Sequence, residues 1–133
     1  FGTRKNHIVR AALESIPFQI KDVIVAMETD TAISLQQLMV DGGISSNQFI
    51  VQLLADLLNK PVINIGQADV SALGAAYLAG LKKGIFKNLA QLEQLNPGRK
   101  TSVPADTRKA ATWHKEWQNY ITPAVGPSQF PIG

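Results

Sequence analysis

The sequence predicts an α/β fold with a βαβ core and flanking helices, and three observations carry that prediction. Two short apolar runs, Leu38-Met39-Val40 and Val62-Ile63-Asn64-Ile65, are separated by one helical pattern. Strand, helix, strand over this length is a right-handed crossover, so the two strands are expected to be parallel. Helical periodicity also marks residues 7–29 and 69–83. Finally, two apolar helices and two strands are too few to close a sheet over this much apolar surface, so the chain reads as half of a larger α/β domain.

Taken in order, Asn6 is placed to cap a long helix from His7 to Thr29, with Ile8, Val9, Ala12, Leu13, Ile16, Val23, Ile24 and Met27 on one broad stripe. Arg10 and Glu14 form an exposed i,i+4 pair. Pro17 removes a hydrogen bond and crowds the preceding turn, so a kink or break is expected there. After the first strand comes Asp41-Gly42-Gly43, a tight turn. Ser45 with Gln48 three residues on reads as a capping box that opens a helix to Asn59. In that helix Gln48, Gln52, Asp56 and Lys60 lie four apart on one stripe. Phe49, Ile50, Val51, Leu53, Leu54, Leu57 and Leu58 cover the rest, the pattern of a helix buried on most sides.

Pro61 precedes the second strand, and Asp69 caps a third helix to Lys83. One face of that helix is Val70, Leu73, Tyr77 and Leu81; the other is Ala72, Ala75, Ala76, Ala79 and Gly80, small enough to admit another element closely. Asn88 with Gln91 starts a short helix over 89–95, which Asn96-Pro97-Gly98 breaks. Asp106 or Thr107 opens a last amphipathic helix through Trp113, Trp117 and Ile121, and Pro123, Pro127 and Pro131 mark a frayed end. The organisation expected is a body over 1–98, a C-terminal amphipathic helix over 99–122 and a flexible Pro-rich tail over 123–133.

Composition narrows the chemistry. The chain has 133 residues, 45% hydrophobic and 17% charged, an ordinary globular balance. No run of apolar residues is long enough to cross a membrane, and the cytoplasm is the expected compartment. Without cysteine there is no disulfide scaffold, thiolate metal site or cysteine nucleophile. The net charge of +3 resides wholly beyond Gly98, where Arg99, Lys100, Arg108, Lys109 and Lys115 face only Asp106 and Glu116. These cations are scattered along one short segment, which reads as a solvated helix face rather than a groove-entering surface, so nucleic acid is not an expected partner.

The strongest local site is the junction Asp41-Gly42-Gly43 and the helix after it. Glycines let the backbone approach a ligand, and a helix N-terminus presents unpaired N–H groups to a phosphate. In parallel sheets ligands sit at the carboxyl ends of strands, where this turn falls. Asn47 is placed to hydrogen-bond a sugar hydroxyl or a base. A Gly-Gly turn after a strand is by itself more often simply a turn. No residue makes a persuasive general base. Asp41 reads as a turn-bonding aspartate, His7 as a cap or surface residue, His114 as a surface residue, and Trp113 with Trp117 as a packing stripe.

The wording adds a resemblance. His7-Ile8, Ala11-Ala12-Leu13-Glu14, then Leu38-Met39-Val40-Asp41-Gly42-Gly43 with Asn47, Phe49 and Gln52, then Asp69 to Gly80 resemble three motifs of the FGGY carbohydrate kinases. They are similar, in order, to the end of the second family signature, the adenosine motif and the second connecting motif. The likeness covers residues 6 to 90 and extends loosely to Trp113.

That resemblance implies a ribonuclease-H-like half-domain of the actin and chaperone-ATPase type, belonging to the nucleotide side of an enzyme that uses ATP and Mg²⁺. Gly43 would lie against the nucleotide, Gly42 would support the turn, and Asn47 would contact ribose or adenine. The implied substrate is glycerol or a related polyol, held with the catalytic residue on an N-terminal domain, so no catalytic or metal-ligating residue is assigned here and the chain alone is expected to be inactive. The intact enzyme is implied to be a homo-oligomer. The alternatives are a kinase of the same family acting on pentuloses or gluconate, and a non-catalytic interaction module that keeps the half-fold.

Overall fold

A computed structural model describes residues 2–66, 69–95 and 99–125 of the chain. Helix α1 spans Lys5–Thr31, strand β1 Leu38–Val40, and a 3₁₀ turn Gly43–Ser46 leads into α2, Gln48–Leu58. Strand β2 (Val62–Asn64), helices α3 (Val70–Lys82) and α4 (Leu89–Glu93), strand β3 (Lys100–Ser102) and helix α5 (Thr107–Val125) follow. Among the described residues the sheet has the order β1-β2-β3. β1 and β2 are parallel with Val40 beside Asn64, as a βαβ crossover requires. β3 returns antiparallel, setting Lys100 opposite Asn64 and Ser102 opposite Val62.

The core forms where α1 and α2 lie on one face of the sheet. Ile50, Val51, Leu54, Ala55, Leu58 and Val62 are buried together, with Leu13, Ile16, Ile20 and Ile24 of α1 and Leu38 and Val40 of β1 packed around them. Strand side chains alternate between faces, so Leu38 and Val40 point inward while Met39 is 46% exposed. A second cluster of Phe18, Leu53, Leu57 and Ala110, flanked by Trp113 and Trp117, seats α5 on α2. The two tryptophans are therefore a packing stripe.

Several expectations are corrected. Arg4, not Asn6, precedes the first turn of α1, and its backbone N–H donates to His7 Nδ1 at 3.2 Å. Pro17 does not break α1. Its ring is among the most deeply buried groups in the chain, and that burial offsets the hydrogen bond it cannot give. The cap of α2 is Asn47 rather than Ser45: Asn47 Oδ1 accepts from the Phe49 N–H at 3.1 Å. Pro123 lies inside α5, two residues before its last residue, where it removes one helix hydrogen bond near an exposed end. β3 occupies residues where only a helix was expected. The breaker 96–98 and the end of the tail, 126–133, lie outside the described residues.

Other features stand as read. Asp69 caps α3 by accepting the Ala72 N–H, and Asn88 caps α4 by accepting that of Gln91. Arg10 Nε donates to Glu14 Oε1 at 2.7 Å on the surface. The small-residue face of α3, from Ala72 to Ala79, stays exposed and finds no partner element among the described residues.

Candidate functional site: the glycine turn at the strand ends

The chain reverses after β1 because Gly42 permits it. Its φ of 80° and ψ of −179° lie in a region that side-chain-bearing residues do not populate. The turn then tightens into the 3₁₀ segment through Ser45 N–H donating to the Gly42 carbonyl at 3.2 Å and Asn47 N–H to that of Ile44 at 3.1 Å. The N–H groups of Gly43 and Ile44 find no acceptor among the described residues. Gly43 is exposed, and a Cβ built on it would meet nothing within 4 Å. Two adjacent amides without an acceptor, the first on an exposed glycine, can receive an anionic oxygen.

Serine hydroxyls fasten the turn from below. Ser45, 5% exposed, donates from Oγ to the Gly42 carbonyl at 2.7 Å, and Ser46 Oγ donates to that of Gly43 at 2.7 Å. Asn64, the last residue of β2, donates from Nδ2 to the Ser45 carbonyl at 2.6 Å and accepts the Gly66 N–H on Oδ1 at 2.8 Å. Asn64 thus locks the glycine turn to the carboxyl end of the neighbouring strand. Sequence reasoning passed it over as one residue of a strand; the signal available was a polar residue ending an apolar run beside a turn.

Asn47 has two roles to divide between two atoms. Oδ1 is committed to the cap of α2, while Nδ2 has no partner among the described residues and remains free to donate. Asp41 is exposed and makes no side-chain hydrogen bond among the described residues, so it does not bond the turn amides as expected. The structure thus gathers Gly42, Gly43 and Asn47 at one end of the sheet. His7 and His114 take no part in this turn. His114, read as a surface residue, is instead largely covered, with Nε2 2.7 Å from Asp22 Oδ1 and its ring beside Phe18, so it joins α5 to α1. Among the described residues no three His, Asp or Glu side chains gather to hold a metal ion.

The polar stripe of α2 is a docking strip. Lys100 Nζ donates to Gln48 Oε1 at 3.0 Å, and Gln52 Nε2 donates to the Val103 carbonyl at 2.8 Å. Asp56 Oδ1 accepts the N–H groups of Ala105 and Asp106. Residues 100–106 are held along α2 by these bonds.

The family model of the FGGY family of carbohydrate kinases, C-terminal domain, matches residues 1–82. A glycerol kinase of Pasteurella multocida (strain Pm70) is 44% identical over 125 residues, 93% of this chain and 25% of that enzyme. Among solved structures, Plasmodium falciparum glycerol kinase with ADP superposes with a TM-score of 0.76 at 30% identity, over 96% of this chain and 26% of the other. A ligand-bound xylulose kinase of Lactobacillus acidophilus shares the fold, with a TM-score of 0.65 at 24% identity over 94% of this chain and 26% of that one. The chain thus spans about a quarter of the length of these relatives. Its architecture is the ribonuclease-H-like one of such kinases, and the chain belongs to the FGGY family of carbohydrate kinases.

Proposed function

We propose that this chain supplies the nucleotide side of an ATP-dependent glycerol kinase, with residues 1–98 part of its C-terminal domain. The observation that carries the reading is the Gly42-Gly43 turn, bare of side chains and open at the carboxyl end of a parallel strand, in a chain 30% identical to a glycerol kinase solved with ADP. In this reading the Gly43 and Ile44 amides face the nucleotide phosphates, Gly42 holds the turn in the shape that aims them, and Asn47 Nδ2 donates to ribose or adenine.

The reaction would transfer the γ-phosphoryl group of ATP to a hydroxyl of glycerol, forming glycerol 3-phosphate and ADP. Phosphoryl transfer is governed by positioning and by stabilisation of charge on the transferred group. In this reading the chain positions the nucleotide, and the group that takes the proton of the attacking hydroxyl belongs to the N-terminal domain of the longer enzyme. The chain alone is accordingly expected to bind nucleotide and not to turn over. Ile8, Val9, Val23 and Met27 of α1 are exposed, as is Met39 on the far face of the sheet, which suits a part that larger neighbouring structure covers in the longer relatives.

Calorimetric titration with ADP tests the reading. Binding that weakens several-fold in Asn47→Ser, which keeps a capping oxygen but loses Nδ2, supports it. Equal affinity in both proteins removes Asn47 from the site.

A further inference from the structure

A polar cavity adjoins the glycine turn. Ser45, Ser46, Gln48, Asn64, Lys100 and Ser102 line it, together with Val51. No carboxylate is among them. Lys100 is brought there by the sheet register, which sets it opposite Asn64, and its ammonium is held at 3.0 Å by the neutral Gln48 Oε1. Among the described residues no acid lies within ion-pair distance of Lys100.

Ser102 adds a second donor at the same cavity. The residue is only 7% exposed, its hydroxyl has no hydrogen-bond partner among the described residues, and it lines the cavity. The hydroxyl oxygen is not sealed from solvent, so it is available to donate into the cavity. The donors available here are the Lys100 ammonium and the Ser102 hydroxyl, with nothing negative to compete. That donor set fits an oxyanion, and an ammonium acts on phosphate as a compact point charge.

We propose that Lys100 and Ser102 form a phosphate-binding subsite beside the glycine turn. The phosphate belongs either to the nucleotide bound at Gly42-Gly43 or to a free phosphorylated ligand. The first source rests on the function proposed above; the second does not. In either case β3 is part of the binding surface and its lysine a positioning residue for phosphate.

The test is an amide-shift titration of the 133-residue chain with inorganic phosphate, adenosine and ADP in turn, on wild type, Lys100→Gln and Ser102→Ala. The expected result is that a phosphate-bearing probe moves the amides of Ser46, Lys100 and Ser102, that adenosine does not, and that Lys100→Gln weakens the effect about ten-fold or more. Shifts with ADP that include both Gly43 and Lys100 assign the phosphate to the nucleotide. Shifts at Lys100 with inorganic phosphate while ADP leaves Gly43 unmoved assign it to a separate ligand, and reject the nucleotide reading but not the subsite. If neither inorganic phosphate nor ADP moves Lys100 or Ser102, or if Lys100→Gln binds as wild type does, the subsite is overturned. Lys100 is exposed, and an otherwise unchanged spectrum of the variant confirms its fold.

Discussion

The carboxylate of Asp56, in the last turn of α2, accepts the backbone N–H of Ala105 at 2.6 Å, across 49 residues of chain. The same Oδ1 takes the Asp106 N–H at 3.2 Å and Gln52 Nε2 at 3.1 Å. One side chain therefore fixes where the segment after β3 ends and α5 begins, and it does so on the helix that follows the glycine turn. Asp56→Ala is expected to leave two backbone donors without their acceptor and to destabilise the chain by about 1–3 kcal/mol. Urea unfolding checks this, with Asp56→Asn, which keeps one acceptor oxygen, losing less.

Asn47 is expected to separate into two effects. Asn47→Ala removes the α2 cap and costs about 0.5–2 kcal/mol of stability, whereas Asn47→Ser retains most of it. Both lose the Nδ2 donor and should weaken ADP binding alike. Paired unfolding and calorimetric measurements on the two variants distinguish the cap from the contact.

At Gly42 the backbone conformation, rather than space, is limiting. A Cβ there meets nothing within 4 Å, yet φ is +80°. Gly42→Ala should therefore cost about 1–3 kcal/mol through strain, or relax the turn and misdirect the Gly43 and Ile44 amides. Gly43→Ala, without that conformational demand, should fold nearly as well as wild type while its methyl stands in the space proposed for the nucleotide. Thermal unfolding and ADP affinity of both variants check the contrast.

Ile50 sits at the centre of the α1, α2 and sheet contact and is 2% exposed. Ile50→Ala should cost about 2–5 kcal/mol, the range for emptying a packed site of this kind. Ile8, on the outward side of α1 at 65% exposure, should tolerate the same truncation within about 0.5 kcal/mol. Chemical denaturation of the two variants under one set of conditions makes the comparison.

What could be read from the sequence followed from strong local signals. The apolar runs at 38–40 and 62–65, the packed surface of α2 and the caps Asp69 and Asn88 each depend on residues close in the chain, and each is found where the pattern placed it but for Ile65, beyond the strand end, and Phe49, which is 39% exposed. The glycine turn was equally legible because a strand end, two glycines and a helix start are contiguous. Misreadings arose where the deciding partner is remote or where two residues compete. Ser45 and Asn47 are both good caps; Ser45 lost because its hydroxyl turns back to the Gly42 carbonyl inside the 3₁₀ turn. Lys100-Thr101-Ser102 has no apolar alternation, and it is a strand only because the edge of β2 offers it hydrogen bonds. His114 reads as a surface residue, and the polar stripe on α2 gives no sign of what it faces, because their partners, Asp22 and residues 103–106, lie far away in sequence.

The central claim is that the glycine turn receives a nucleotide, and an amide-shift titration of the chain with ADP addresses it most directly. The account predicts saturable shifts centred on Gly42, Gly43 and Asn47. A saturating series that leaves those three amides unmoved, or moves only residues remote from the turn, would contradict it.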